Sequence, residues 1–208
     1  PFAYKSPDGL FLIADWAYDR SVGSPCEDEE AFWDMLYRME YESPLGTLTA
    51  MSDGESLVGL FMAPVKPRPG DAAGTDLPVF AALRRWLDAY FDGGRPSPAD
   101  LPLAPAGTEF QRAVWRLLLD IPYGRTTTYG AIAVILAERN ERGRMAPMAV
   151  GGAVGRNPIS IVIPCHRVVG AGGNLVGYGG GMDRKVRLLT LEGVDMSRFY
   201  VPGEGRRV

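Results

Sequence analysis

The stretch TEFQRAVWRLLLDIPYGRTTTYGAIAVILAERNERGRMAPMAVGGAVGRN (108–157) contains three consecutive helical patterns separated by short turns. Thr108 precedes the first pattern, 108–120, as an N-cap, because its hydroxyl can accept a backbone N–H of the first turn. Ile121 to Gly124 end that helix with a proline and a glycine. Further helices are predicted at 126–140 and, from very small residues, at 147–157. Three helices with short turns favour a helix-turn-helix arrangement, which is common in DNA-binding proteins.

A segment rich in proline and glycine precedes these helices. DGGRPSPADLPLAPAG (92–107) has little apolar periodicity, which is typical of a linker. The fold class expected from this organisation is α/β of the α+β type, with a small antiparallel sheet and helices before the linker and a mostly helical part after it. The predicted units are an extension at 1–36, an N-terminal domain at 37–91, the linker at 92–107, a C-terminal domain at 108–200 and a tail at 201–208.

The N-terminal half combines helical and strand patterns. SPCEDEEAFWDMLYRM (24–39) predicts a helix with acidic residues in its first turn, where they complement the helix dipole. YESPLGTLTAMSD (41–53) and ESLVGLFMAPV (55–65) predict two strands joined by a hairpin at Asp53-Gly54. FAALRRWLDAYF (80–91) predicts an amphipathic helix.

The last quarter of the chain combines an apolar run, glycines and a helix. ISIVIPCHRVV (159–169) predicts a buried strand interrupted by Pro164. NLVGYGGGMD (174–183) is glycine-rich, and DRKVRLLTLEG (183–193) predicts a closing helix.

Charge is unevenly distributed along the chain. Residues 1–104 hold 8 basic and 17 acidic side chains, whereas residues 105–208 hold 14 basic and 8 acidic ones. A basic C-terminal half indicates an anionic partner such as nucleic acid, because lysine and arginine gain free energy by releasing counterions from phosphates. Solvated faces of opposite sign are the alternative explanation.

Several classes of protein do not fit the sequence. No apolar run approaches the roughly 20 residues that cross a bilayer, and PFAYKSPDGL at the start lacks a basic region followed by an apolar stretch. We therefore expect a soluble protein that is not exported, cytoplasmic in a bacterium or archaeon and nuclear in a eukaryote. The two cysteines, Cys26 and Cys165, and the single histidine argue against a disulfide scaffold or a zinc site. We expect no metal and no cofactor.

Cys165 is the candidate nucleophile. It follows Pro164, which favours a turn, and it precedes His166, the chain's one histidine, and Arg167, two residues that could favour the thiolate. A lone cysteine is more often a small buried apolar residue. Neighbouring residues of a strand also point to opposite faces, so a turn or a bridging water must bring thiol and imidazole together. Cys26 lies among acidic residues, which disfavour a thiolate, and it is predicted to be structural.

Three segments resemble the O6-alkylguanine-DNA alkyltransferases, also called methylated-DNA–protein-cysteine methyltransferases. The segments are GTEFQRAVWRLLLDIPYGRTTTYGAIA (107–133), AVGGAVGRNPISIVIPCHRVVG (149–170) and GYGGG with KVRLLTLEG (177–193). The resemblance covers about residues 37–197, and PCHRV after Asn-Pro is its most specific motif. It implies that an alkylated guanine is flipped out of double-stranded DNA and loses its O6-alkyl group to Cys165. O4-alkylthymine is a further implied substrate.

The resemblance also implies roles for other residues of the site. His166, oriented by Glu192, would draw the thiol proton through a water molecule. Tyr129 would protonate the departing guanine, and Asn157 would brace the turn that carries the thiol. By their residue types alone, Tyr129 would be a packing aromatic, Asn157 a turn residue and Glu192 a surface charge. Because the thioether does not hydrolyse, each protein molecule would act once.

Substrate and DNA contacts are implied in the same way. The Val168 carbonyl would read the exocyclic amine of guanine, Tyr178 and Gly179 would line the pocket, and Lys185 would lie near it, although a lysine in a helix is more often solvated. The helix at 147–157 would enter the minor groove, where sequence readout is weak. The residues implied to contact DNA are Thr128, Arg144, Met148, Ala149, Gly151, Gly152 and Arg156.

The chain departs from the family pattern just before Ala149. The family usually has an arginine there, which fills the gap left by the flipped base, whereas this chain has Met148. Methionine can act as an apolar wedge but lacks the charge, and Arg144 is a possible substitute. The interval from Tyr129 to Cys165 is also longer than usual. The extension has no histidine and one cysteine, which does not support the zinc module of some bacterial relatives.

Two other function classes stay open at this point. A non-catalytic lesion-binding protein of the alkyltransferase-like kind would share the fold but lack the acceptor cysteine, and Cys165 is present. A Cys-His hydrolase would need an orienting network, for which only Glu192 is a candidate. The expected partner is double-stranded DNA containing O6-alkylguanine, bound by a monomer.

Overall fold

The computed structural model describes residues 36–65, 72–73, 76–139 and 144–201, and its N-terminal part is built on a four-stranded sheet. The strands are β1 (Tyr37–Ser43), β2 (Gly46–Ser52), β3 (Leu57–Phe61) and β4 (Ala72–Ala73), in the order β3-β2-β1-β4. The first three are antiparallel, and β4 runs parallel to β1. The predicted small antiparallel sheet is therefore confirmed.

Two predictions about these strands were wrong in detail. Residues 37–39 lie in β1 and not at the end of a helix, while the rest of the predicted helix and Cys26 lie outside the described residues. The single strand predicted at 41–53 is two strands, because Ser43 makes a turn. Its hydroxyl donates to the Gly46 carbonyl at 2.6 Å and accepts the Leu45 N–H at 3.1 Å. The hydrogen bonds between the Ser43 side chain and the nearby backbone stabilise a turn, although the apolar alternation around Ser43 favours a continuous strand.

The hairpin at Asp53-Gly54 is confirmed. Asp53 Oδ1 accepts the N–H groups of Glu55 and Ser56 at 3.0 and 2.7 Å, which closes the turn between β2 and β3. Gly54 has a φ of +107°, a conformation that glycine adopts without a steric cost.

Helix α1 (Pro78–Phe91) packs its apolar face against the sheet, and its position confirms the helix predicted at 80–91. Its buried residues recur every three to four positions, which is the period of one helix face. They are Val79, Phe80, Leu83, Trp86, Leu87 and Tyr90.

The segment 92–107 is fixed to the N-terminal part along its length. It contains one short 3₁₀ turn, Pro98–Asp100. Trp86 Nε1 donates to the Ser97 carbonyl at 2.9 Å, and Leu57 exchanges backbone hydrogen bonds with Pro102 and Ala104. One apolar core includes residues from before and after this segment, so the division into separate domains stays a prediction.

The three predicted helices are present. They are α2 (Glu109–Leu119), α3 (Tyr129–Arg139) and α4 (Pro147–Gly155). Thr108 caps α2 as predicted: its hydroxyl accepts the Gln111 N–H, and the Gln111 side chain accepts the Thr108 N–H. Trp115 Nε1 donates to the Ala153 carbonyl at 2.9 Å and so ties α4 to α2.

The run 159–169 is buried, but the predicted strand is wrong for residues 159–167, and only Val168–Val169 form a strand. Its backbone makes tight turns, with Val162 N–H donating to Ser160 and Cys165 N–H to Ile163, both at 2.8 Å. Ile161 has a φ of +67°, which is unusual for a branched residue. A buried irregular segment and a buried strand contain the same apolar residue types, so composition could not distinguish them.

The end of this run leads into the last elements. A 3₁₀ turn, Cys165–Arg167, is followed by β6 (Val168–Val169), which pairs in parallel with β5 (Thr127–Thr128). Helix α5 (Met182–Leu191) confirms the closing helix. Within the described residues, no helix has the length and apolar character needed to cross a membrane.

Candidate active site

Cys165 begins the 3₁₀ turn and is 7% exposed. Asn157 fixes the backbone that leads to it. The Asn157 amide donates to the carbonyls of Ile163 at 2.8 Å and Ile159 at 3.3 Å, and its oxygen accepts the Ile159 N–H at 3.1 Å. These bonds supply partners that a strand ladder would otherwise provide, and they hold the turn in place.

The thiol lies in surroundings with opposing effects on its charge. Burial raises the pKa of Cys165, because desolvation disfavours the thiolate. The Asn157 side chain and the positive charge of Lys185 act in the opposite direction. The net pKa is raised, so the resting group is the thiol, and its reaction as a nucleophile requires a base.

His166 is the adjacent titratable group, and it is fully buried. Its Nε2 lies 2.8 Å from Glu192 Oε1. Because an ionised carboxylate only accepts hydrogen bonds, Nε2 carries the proton and Nδ1 is the basic nitrogen. Nδ1 has no hydrogen-bond partner among the described residues. Burial lowers the pKa of His166, and the Glu192 charge acts in the opposite direction. Because the effect of burial is larger, the pKa is lowered and the ring is neutral near pH 7.

Glu192 follows α5 as its C-cap and binds four groups from distant parts of the chain. Arg167 donates to both carboxylate oxygens, at 2.9 Å each. The Tyr90 hydroxyl donates to Oε1 at 2.8 Å, the same oxygen that His166 contacts, and the Gly124 N–H donates to Oε2 at 3.2 Å. Burial raises the pKa of Glu192, but His166 and Arg167 lower it more, to about 2.

Two partners of Glu192, Tyr90 and Gly124, were missed by sequence reasoning. They lie 102 and 68 residues from Glu192, and no local pattern marks them. Arg167 was predicted to favour the thiolate; instead its guanidinium binds Glu192 and donates to the Ile121 carbonyl at 2.6 Å. The cation that acts on the thiol is Lys185.

Lys185 is fully buried, so the alternative of a solvated lysine was wrong. Its ammonium donates to the carbonyls of Val168 at 2.7 Å and Val176 at 3.1 Å. Burial lowers its pKa to about 8, and the nearby thiol acts against this shift. The Val168 carbonyl therefore already accepts one hydrogen bond, and its second lone pair is available for another.

Two tyrosines belong to the predicted site. The Tyr129 hydroxyl donates to the Val176 carbonyl at 3.2 Å, and burial raises its pKa to about 12. The half-buried Tyr178 donates from its hydroxyl to Met62 Sδ at 3.3 Å, and its neighbour Gly179 is exposed. The Cys165 charge would contribute to raising the pKa of both tyrosines, after the larger effect of burial.

Except for Thr128, the residues predicted to contact DNA lie on α4 or within a few residues of its ends. Met148 is 87% exposed at the second position of α4, and Ala149 beside it is exposed too. Arg144 and Arg156 are exposed at opposite ends of this helix. The remaining three are half-buried: Gly151 and Gly152 on α4, with the Tyr129 ring near Gly151, and Thr128, whose hydroxyl accepts the Ala131 N–H at the start of α3.

Comparison with known proteins identifies the relatives of this chain. Two family models match it: "6-O-methylguanine DNA methyltransferase, ribonuclease-like domain" at residues 36–105, and the DNA binding domain of the same name at 109–194. A methylated-DNA–protein-cysteine methyltransferase of Haemophilus influenzae is 43% identical over 76% of this chain and 86% of its own length. One from Methanosarcina acetivorans is 44% identical over 76% of this chain and 99% of its own.

Solved structures agree with these matches. The crystal structure of Mycobacterium tuberculosis OGT in complex with DNA has a TM-score of 0.65 and 42% identity, and the match covers 75% of this chain and 92% of that one. The chain therefore belongs to the family of methylated-DNA–protein-cysteine methyltransferases.

Proposed function

We propose that this protein repairs DNA by moving the alkyl group of O6-alkylguanine irreversibly to Cys165. In this step a bond forms between Cys165 Sγ and the alkyl carbon, and the bond between that carbon and O6 breaks. The thiol proton passes to a proton acceptor, and guanine takes up a proton and leaves as the neutral nucleobase. The observation that carries the proposal is a buried thiol next to a neutral His166, whose Nε2 is held by Glu192 and whose Nδ1 has no partner in the part of the chain that the structure describes.

His166 acts as the base in this proposal. Nδ1 receives the thiol proton through one water molecule, because a buried imidazole nitrogen that makes no hydrogen bond to any described residue suits such a bridge. The resulting imidazolium is stabilised by Glu192, which stays ionised because its pKa is about 2. The three residues divide the work as nucleophile, base and orienting carboxylate.

The groups around the thiol bind the flipped guanine. Tyr129 donates its hydroxyl proton to the departing guanine, exchanging the Val176 carbonyl for the new acceptor. The proton taken up by His166 then returns to the Tyr129 oxygen through solvent, so that in net terms the thiol proton is transferred to guanine. The Val168 carbonyl accepts from the exocyclic amine while Lys185 occupies its other lone pair. Tyr178 and Gly179 line the pocket, where a residue without a side chain allows the base to approach the backbone.

The reaction requires the base to leave the duplex, because the thiol is 7% exposed. We propose that α4 enters the minor groove, with Arg144 and Arg156 near phosphates and the exposed Met148 as an apolar wedge in the base stack. Minor-groove binding gives little sequence preference, which suits a search for damage. O4-alkylthymine is a second substrate of the same step, since it also carries an alkyl group on an exocyclic oxygen.

One observation favours a second candidate function. Met148 replaces the arginine that the family usually has at this position, and without that charge the protein would bind the lesion without delivering the base to Cys165. The protein would then mark the lesion for another repair pathway.

The two functions differ in what happens to the DNA. A duplex with one O6-methylguanine is incubated with an excess of protein, and its bases are quantified by chromatography. Alkyl transfer predicts loss of O6-methylguanine and an equal gain of guanine with the unchanged chain and with Cys26→Ser, and no loss with Cys165→Ser. Binding of the lesion with no gain of guanine would establish the second function instead.

A further inference from the structure

We infer that Tyr90 is a positioning residue of the active site, whose hydroxyl holds the Glu192 carboxylate that orients His166. The inference rests on the proposed alkyl transfer and adds to it a residue from the N-terminal part of the chain. Tyr90 contacts the site through its hydrogen bond to Glu192, and it acts through that carboxylate.

A shared oxygen atom is the basis of this inference. Tyr90 donates its hydroxyl to Glu192 Oε1 at 2.8 Å, and His166 Nε2 lies 2.8 Å from the same atom. Both contacts are buried. One carboxylate oxygen therefore accepts hydrogen bonds from both a phenol and an imidazole, and its negative charge stabilises both donors.

The ring of Tyr90 is held firmly in this position. Tyr90 is 1% exposed, and its ring stacks on Trp86 at 5.4 Å between centroids. Phe91 and Tyr123 present their rings at steep angles to it, at 5.3 and 6.1 Å. Burial and the Glu192 charge raise the pKa of Tyr90 far above its ordinary value, so the hydroxyl keeps its proton and remains a donor.

The shared oxygen has a consequence for the basicity of His166. Without the Tyr90 hydroxyl, Oε1 keeps more negative charge for His166, which stabilises the imidazolium and raises the pKa of His166. The proposed base would then be protonated at a higher pH. The ionisable groups around this pair are Arg167, Lys185, Cys165, Tyr123 and Tyr178. Replacing Tyr90 by Phe removes none of them.

The single histidine makes a direct test feasible, because a ¹⁵N-histidine NMR titration reports on His166 alone. Tyr90→Phe is compared with the unchanged protein and with Tyr41→Phe. Tyr41 donates to Asp88 Oδ1 at 2.7 Å on the same helix, so this control loses a similar bond away from the site. We expect Tyr90→Phe to raise the pKa of His166 by about half a unit, a threefold change in the protonation constant, and Tyr41→Phe to leave it unchanged.

The alkyl-transfer rate gives the second readout. In a plot of transfer rate against pH, the acid limb should move to higher pH by the same half unit in Tyr90→Phe. The loss of rate should therefore be larger at pH 6 than at pH 8. A residue with only a structural role would lower the unfolding temperature and the rate evenly across pH. Equal titration of His166 in Tyr90→Phe and in the unchanged protein would overturn the inference.

A second variant covers the case in which Tyr90→Phe does not fold. Site-specific 3,5-difluorotyrosine at position 90 keeps the ring and makes the hydroxyl a stronger donor, so the pKa of His166 should fall; no change would contradict the inference. The titration needs no DNA and no transfer. If the unchanged protein fails to transfer the methyl group, the proposed function fails, while the NMR comparison still tests Tyr90.

Discussion

At the scale of single residues, Glu192 connects the chemistry to the stability of the fold. Five donor atoms surround its carboxylate, two of them from Arg167. A buried ion pair contributes little compared with an apolar pair of the same size, but removal of one partner leaves the other charge unpaired. Changes at Glu192 should therefore affect both the transfer rate and the free energy of unfolding.

The first prediction concerns Glu192→Gln. The neutral amide leaves the Arg167 charge without its partner, so we expect the free energy of unfolding in urea to fall by about 3 kcal/mol. The transfer rate should fall by about 100-fold, since His166 loses the anion that stabilises its charged form. Glu40→Gln, which removes an exposed pairing with Arg38, is the control and should change stability by less than about 1 kcal/mol. Equal effects of the two variants would contradict this role of Glu192.

The second prediction concerns the pH dependence of stability. The pKa of Glu192 falls from an ordinary 4.5 to about 2 on folding, so the folded state binds fewer protons than the unfolded state between these values. The contribution of this group is complete above pH 4.5 and is lost as the pH falls toward 2. Urea unfolding measured from pH 6 down to pH 2 should show the stability difference between the unchanged protein and Glu192→Gln shrinking in that window. A constant difference would show that Glu192 is not the titrating group.

At the scale of elements, the turn that carries Cys165 depends on one side chain. The Asn157 side chain binds backbone groups of Ile159 and Ile163, for which a strand ladder would otherwise supply the partners. We expect Asn157→Ala to lower the free energy of unfolding by about 2 kcal/mol, because two buried carbonyls and one N–H lose a partner, and to slow alkyl transfer. Asn174→Ala is the control, since the Asn174 side-chain oxygen has no partner among the described residues. Similar losses in both variants would argue against a bracing role.

Helix α4 carries the fourth prediction. Met148→Arg adds a cation to the face proposed to meet DNA, and we expect tighter binding to a duplex and a salt dependence steeper by about 0.9 in slope. Val134→Arg, at an exposed apolar position of α3, adds the same charge outside α4. Binding and repair rates are compared for both variants at several salt concentrations. Equal rates and slopes for Met148→Arg and the unchanged protein would remove any role for this position.

These elements also show how far the sequence could be interpreted. Periodicity and capping predicted α1 to α5, because Thr108 and the apolar faces act locally. The turn at Ser43 and the irregular run 159–167 were missed, since both depend on side-chain bonds to the backbone that an apolar pattern does not reveal. In the candidate site, the residues around Cys165 and His166 indicated a nucleophile, whereas the role of Glu192 came from the resemblance.

At the scale of the whole molecule, the two parts of the chain are joined through the active site. Tyr90 reaches Glu192 from α1. Arg184 and Arg187 of α5 donate to the carbonyls of Leu45 and Pro44 in the turn between β1 and β2, at 3.0 and 2.7 Å. Such contacts between segments far apart in sequence could not be predicted from local patterns. The N-terminal part therefore supports the site as well as the fold.

The fifth prediction follows from the shared core. Because apolar residues of both parts form one cluster, we expect the described regions to unfold in one cooperative transition. Tryptophan fluorescence, far-UV circular dichroism and the His166 NMR signal should give the same urea midpoint. Separate midpoints for His166 and for the sheet would show that the parts unfold independently.

The fate of the methyl group tests the central claim most directly. Intact-protein and peptide mass spectrometry would follow incubation with a duplex containing O6-methylguanine, with Cys165→Ser in parallel. We predict a mass gain of one methyl group, located at Cys165, that saturates at one per chain and is missing in the variant. Lesion binding without a mass gain, or a methyl group on another residue, would contradict the account.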